Sequence, residues 1–138
     1  MKVFLDANIL VSVLNKEYPH FTYAARVLSL TEDSKFELYT SPICLTIAFY
    51  FAEKKSGRSL AKSKISILSK KIKIADADKS VVQKAVDDSA VRDFEDGLEY
   101  YSALKAGCKW LVTEDSNDFH FSKIPVMTAR QFLEEHVL

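Results

Sequence analysis

Glycine and proline are scarce, with three of each in 138 residues, which argues against linkers, collagen-like repeats and a loop-rich all-β fold. Cysteine is rarer still, with two residues. Cys44 and Cys108 stand far apart in apolar surroundings, with no CxxC pair and no histidine beside them, so they read as buried free thiols in a reducing compartment. His20, His120 and His136 show no ligand spacing, which speaks against zinc. The longest apolar run, residues 43–52, is interrupted by Thr46 and is about half the length of a bilayer span. The N-terminus passes from Lys2 through Val3-Phe4-Leu5 straight to Asp6, leaving no room for the hydrophobic region of a signal peptide. The expectation is a cytoplasmic protein with no membrane segment.

What is present is an ordinary globular composition, 48% hydrophobic and 28% charged, in a chain long enough for one domain, residues 1–138, with its own core. Net charge is zero, but it is unevenly spread. Residues 54–84 carry ten of the 19 basic residues against two acids, Asp76 and Asp78, a local +8. Residues 85–138 carry eleven acids and five bases, a local −6. The basic stretch is either a pair of solvated helix faces or a surface for phosphate or a partner beside an acidic site.

Short β-type runs alternate with helical patterns. Residues 2–5, 37–40, 72–75, 109–113 and 126–127 read as strands, and helices are expected over 7–15, 21–30, 42–56, 60–71, 79–89, 94–106 and 129–137. Ser41-Pro42 marks a helix start, and Gly57 and Gly107 mark helix ends. In the helix over 94–106 the apolar stripe is Phe94, Leu98, Tyr101 and Leu104. This alternation predicts an α/β fold, a three-layer α/β/α sandwich around a mainly parallel sheet of four to five strands.

In such a sheet ligands bind beyond the carboxyl ends of the strands. The first strand ends at Asp6, and the fourth leads into Glu114, Asp115 and Asp118. The helix before it opens Asp93-Phe94-Glu95-Asp96. If these strands are neighbours, acids from three distant positions meet at one sheet edge, where a hard divalent cation takes oxygen ligands. Each acid also has a structural reading: Asp6 as a helix cap, the Asp93 group as partners of a helix dipole, Asp115 and Asp118 as turn residues. An aspartyl-phosphate domain of the receiver or phosphatase type fits less well, since no acidic pair follows the first strand.

The segments Val3-Phe4-Leu5-Asp6-Ala7-Asn8-Ile9-Leu10, Asp93-Phe94-Glu95-Asp96-Gly97-Leu98 and Trp110-Leu111-Val112-Thr113-Glu114-Asp115, with Asp118-Phe119, resemble the PIN domain, above all its small bacterial VapC-like toxins. The resemblance covers nearly the whole chain. It implies a metal-dependent ribonuclease that holds Mg²⁺ or Mn²⁺ through Asp6, Asp96, Asp115 and Asp118, with Asn8 supporting Asp6 and Thr113 in an orienting role. It further implies RNA as substrate, an antitoxin protein as partner and a homodimer. One position departs from the family's pattern. Phe49 stands where a metal-binding glutamate is expected on the helix after the second strand; the nearest acid is Glu53, one turn later, and Thr46 stands one turn earlier. The alternative expectation is therefore a catalytically weakened PIN-fold module that binds RNA or protein, with outward aromatics of Phe49-Tyr50-Phe51 available to a partner.

Overall fold

The computed structural model describes residues 1–137. Five strands, β1 (Lys2–Leu5), β2 (Glu37–Thr40), β3 (Lys73–Ile74), β4 (Trp110–Val112) and β5 (Val126–Met127), form one sheet in the order β3-β2-β1-β4-β5, every neighbouring pair parallel. Parallel neighbours need crossovers, and seven helices supply them: α1 (Ala7–Leu14), α2 (His20–Leu28), α3 (Pro42–Ser56), α4 (Arg58–Lys71), α5 (Lys79–Asp87), α6 (Phe94–Lys105) and α7 (Ala129–His136). Short 3-10 turns cover Ser29–Glu32 and Ser116–Phe119.

The central strand decides the layering. Val3, Phe4 and Leu5 point alternately to opposite faces of the sheet and all are fully buried, so both faces are covered. That is the sandwich expected from the strand–helix alternation. α1 packs on α2 and α3, α2 on α7, α3 on α4, and α5 on α6. Ser41 starts α3 by accepting a bond from Cys44 N (3.2 Å), with Pro42 in the first turn where a missing N–H is harmless. Gly57 at φ +85° separates α3 from α4, a conformation that side-chain-bearing residues rarely adopt. Thr128 and Gln131 form a reciprocal capping box at the head of α7.

One expectation is corrected and one open alternative is narrowed. The buried side of α6 is not the stripe Phe94–Leu98–Tyr101–Leu104: Phe94 and Leu104 are exposed, and the buried residues are Gly97, Leu98, Glu99, Tyr100, Ser102 and Ala103. The helix is wedged between α5, α3 and β2, so contact from several sides buries a broader face than one stripe. Within the basic region, Lys55 donates to Asn15 O and Lys64 to Leu14 O (2.9 Å), satisfying carbonyls at the C-terminal end of α1. Lys73 pairs with Glu37 at 2.8 Å. Part of the positive stretch is thus structural, while Lys54, Lys62, Lys70 and Lys71 remain exposed.

Candidate metal centre

Asp6 ends the central strand, and its backbone N–H donates to Val112 O (3.0 Å), tying it to β4. Its Oδ1 accepts from Ala7 N at 2.6 Å and caps α1, while Oδ2 accepts from the Thr113 hydroxyl at 2.7 Å. Capping and a place in the site are therefore compatible roles for one carboxylate. Thr113 is fully buried, and its oxygen also accepts from Asn8 Nδ2 (3.0 Å) and Asp115 N (3.1 Å). Asn8 completes the network by donating to Asp115 Oδ2 (3.2 Å) and accepting from Glu114 N (3.2 Å). Parallel pairing of β1 with β4 creates this junction, because Leu5 sits in register with Val112 and both strands end at the same level.

A crevice opens over this junction. Asp6, Asn8, Asp96, Asp115 and Asp118 all line it, so the four aspartates read from the sequence come together in one place. Asp93, Glu95, Glu114, Glu17 and His20 line it as well. Eight of the lining residues carry carboxylates and, among the described residues, none is a lysine or arginine, so the negative charge has no built-in counterion. The consequence appears in the proton affinities. Burial, followed by the charges of Asp93, Asp6, Asp118 and Glu95, raises the Asp96 carboxyl to about 7. Burial, Asp93 and Asp6 raise Glu95 in the same direction.

His20, which shows no useful spacing in the sequence, reaches the crevice through its place at the start of α2, with Nδ1 3.4 Å from Glu114 Oε2. The other Glu114 oxygen accepts from Ala129 N at 3.2 Å, at the head of α7.

Helix α3 corrects the register expected for its missing acid. Phe49 turns away from the crevice into an apolar groove with Leu45, Thr46, Lys62 and Ile65. Thr46 is exposed and its hydroxyl donates back to Pro42 O (2.9 Å). Glu53 does not line the crevice; it sits 3.4 Å from the Arg58 guanidinium at the α3–α4 junction. The α3 residues that do line it are Ile47 and Phe51.

The residue that sequence reasoning missed is Glu99, on α6. Only 1% of it is exposed, and its carboxylate, that of Asp6 and the Cys44 thiol have ligand atoms within 4.8 Å of one another. The Cys44 thiol donates to Oε1 at 3.3 Å, while Oε2 has no partner among the described residues. Burial, then the Asp6 charge and contact, push the Glu99 carboxyl up to about 11. The signal was the i, i+3 spacing from Asp96, which sets both acids on neighbouring parts of the helix surface. A dense set of carboxylate oxygens, no lysine or arginine, and a buried carboxylate oxygen without a partner suit a hard or borderline divalent cation.

A family model of the PIN domain matches residues 2–117. Ribonuclease VapC1 of Aquifex aeolicus (strain VF5) is 31% identical over 140 residues, spanning 96% of this chain and 94% of that protein. Among solved structures, VapBC-1 from nontypeable Haemophilus influenzae superposes with a TM-score of 0.72 at 17% identity, covering 94% of this chain and 99% of that one. DNA-bound VapBC from Salmonella typhimurium gives a TM-score of 0.69 at 17% identity, covering 94% and 98%. The structural likenesses speak to the fold alone. The family match, running from β1 to beyond Asp115, takes in both strands that carry the crevice, and on it the chain belongs to the PIN domain family.

Proposed function

We propose that this protein is an endoribonuclease that hydrolyses RNA phosphodiester bonds with Mg²⁺ or Mn²⁺ and serves as the toxin of a toxin–antitoxin pair. The observation that carries the reading is the crevice itself, with carboxylates from β1, α6 and the β4 turn gathered around a space that holds no lysine or arginine. The 31% identity to a protein named as a ribonuclease supports RNA as the substrate class. Solved neighbours described as VapBC complexes support an antitoxin partner, and a homodimer belongs to the same reading.

Asp6, Asp96 and Asp115 would hold the cation, with Asp118 beside them. A bound divalent cation supplies water activation near neutral pH and neutralises charge at the attacked phosphate. Thr113 and Asn8 fix the Asp6 and Asp115 carboxylates in place through the bonds described above, so the ligand oxygens need little reorganisation. Asp118, exposed on the 3-10 turn after β4, is free to orient the attacking water. The exposed Lys62, Lys70 and Lys71 on α4 are available to the RNA backbone, which the acidic crevice repels when no cation neutralises it.

The test is cleavage of structured and single-stranded RNAs with Mn²⁺ by the wild type, Asp6→Asn and Asp96→Asn. Cleavage that needs the metal and falls at least about a hundredfold in both variants is the expected outcome. No cleavage of any RNA, with no metal binding in calorimetry, would refute it. A second reading, a PIN-fold module that binds without cutting, draws on one observation: α3 presents Ile47 and Phe51 to the crevice rather than an acid.

A further inference from the structure

Glu99 is the buried ionisable group to which the proposed function assigns no role. Carboxylates rarely lie fully buried unless they are paired or bind a metal. Here the nearest charged group is another carboxylate, Asp6, so burial and charge both oppose its presence. No lysine, arginine or histidine is among the groups acting on it: Asp6, by charge and contact, and Asp96 oppose its charged form, and the Cys44 thiol, a weak donor at 3.3 Å, favours it. That bond fixes Oε1 and leaves Oε2 without a partner, within the small cluster that includes Asp6. A core position filled only for packing would be better served by leucine or glutamine. Helix α3, meanwhile, brings Cys44 to this cluster and Ile47 to the crevice wall, but no acid.

We propose that Glu99 is a metal ligand of this protein, supplying from α6 the acid that α3 does not provide, so that Asp6, Asp96 and Glu99 close the inner side of the cation site. The proposal rests on the metal-dependent reading above and adds to it a specific donor. Asp96 and Glu99 are one helical turn apart on the same element, and Asp6 faces them from the central strand. The inner ligands thus come from two elements, β1 and α6, rather than three. Cys44 holds one oxygen of the Glu99 carboxylate, which leaves the other for the cation.

The experiment is calorimetric titration of Mn²⁺ into the metal-free full chain at one fixed pH, for the wild type, Asp6→Asn, Glu99→Gln and Glu99→Gln/Ile47→Glu. Circular dichroism checks that each is folded. Glu99→Gln keeps the shape and removes the charge, and it should weaken Mn²⁺ binding at least about tenfold while leaving the metal-free fold intact. Ile47→Glu, which places a carboxyl on the crevice wall from α3, should restore affinity in the Glu99→Gln background. Should Glu99→Gln fail to fold, Glu99→Asp serves in its place: shorter by one methylene, it should still bind, but more weakly than wild type. Mn²⁺ binding lost in Asp6→Asn but equal to wild type in the Glu99 variant overturns the role of Glu99 and leaves the metal centre standing. Absence of Mn²⁺ binding by the wild type overturns both.

Discussion

Replacing Thr113 with valine tests whether one buried hydroxyl organises the two halves of the site. The threonine oxygen donates to Asp6 Oδ2 at 2.7 Å and accepts from Asn8 Nδ2 and Asp115 N at 3.0 and 3.1 Å. Valine preserves the shape but makes none of these bonds. The bond to Asp6 is charge-assisted and buried, so its loss should cost about 1.5–3 kcal/mol. Asn8 is half-buried and Asp115 exposed, so water replaces much of what their donors lose, adding about 0.5–1 kcal/mol. The expected destabilisation is therefore about 2–4 kcal/mol, a fall in melting temperature of roughly 6–12 °C for a domain of this size. Urea denaturation of the metal-free protein measures it, as a shift in midpoint at unchanged slope. A loss below about 0.5 kcal/mol would refute the reasoning, because it would mean that the Asp6 carboxylate is as well satisfied without the hydroxyl.

The raised Asp96 pKa makes the metal-free protein pH-sensitive. The folded state keeps a proton on Asp96, up to about pH 7, that the unfolded chain releases near 4, so stability should fall as pH rises through that window, and more gently beyond it, where only Glu99, raised to about 11, still holds an excess proton. Melting curves from pH 4.5 to 8 should show this decline, and Asp96→Asn should make it shallower, leaving the part that Glu99 contributes; a decline of equal slope in wild type and variant, or a melting temperature that rises with pH in the wild type, would contradict the assignment. Glu53→Ala should leave Mn²⁺ affinity and RNA cleavage at wild-type values and shift stability by less than about 1 kcal/mol, since Glu53 meets only the exposed Arg58; a tenfold loss of metal affinity would return Glu53 to the site. Gly97→Ala should destabilise the fold by about 1–2 kcal/mol despite alanine's better helix propensity, because a Cβ there would lie 2.7 Å from Val91 Cγ1 and 3.2 Å from Ala85 Cβ. A higher urea midpoint for that variant would show that α5 and α6 can separate at little cost.

Much of the architecture was legible because it rests on local signals. The five strand positions, the Ser41-Pro42 helix start and the glycine stop at Gly57 follow from periodicity and cap chemistry, and they appear where expected within a residue or two. The aspartates were legible for a different reason: each follows a strand or opens a helix, and parallel pairing aligns the strand ends. The acid on α3 and the role of α6 were not. Both depend on how a helix is rotated about its own axis, and that is decided by neighbours distant in sequence. α3 is apolar on nearly every side, so its pattern cannot show that Ile47 and Phe51, rather than Phe49, turn to the crevice. α6 is packed from several directions, which draws Glu99 inward against its own polarity. His20 likewise gains its place from the packing of α2 beside the crevice rather than from any spacing.

The sheet order carries a consequence for how the protein comes into being. β1, the first strand in sequence, is the central strand of the sheet, between β2 and β4, and β4 begins more than a hundred residues later. Asp6 and Asp115 are brought together only when that distant strand docks, a closure whose entropy is offset only once many other contacts have formed. During synthesis the early two-thirds of the chain can build β1, β2, β3 and their helices, but the hydroxyl of Thr113 is not yet there to orient Asp6. The topology therefore acts as a timer: a nascent chain carries Asp6 long before it has a completed crevice, which waits until β4 has been made and has docked beside β1.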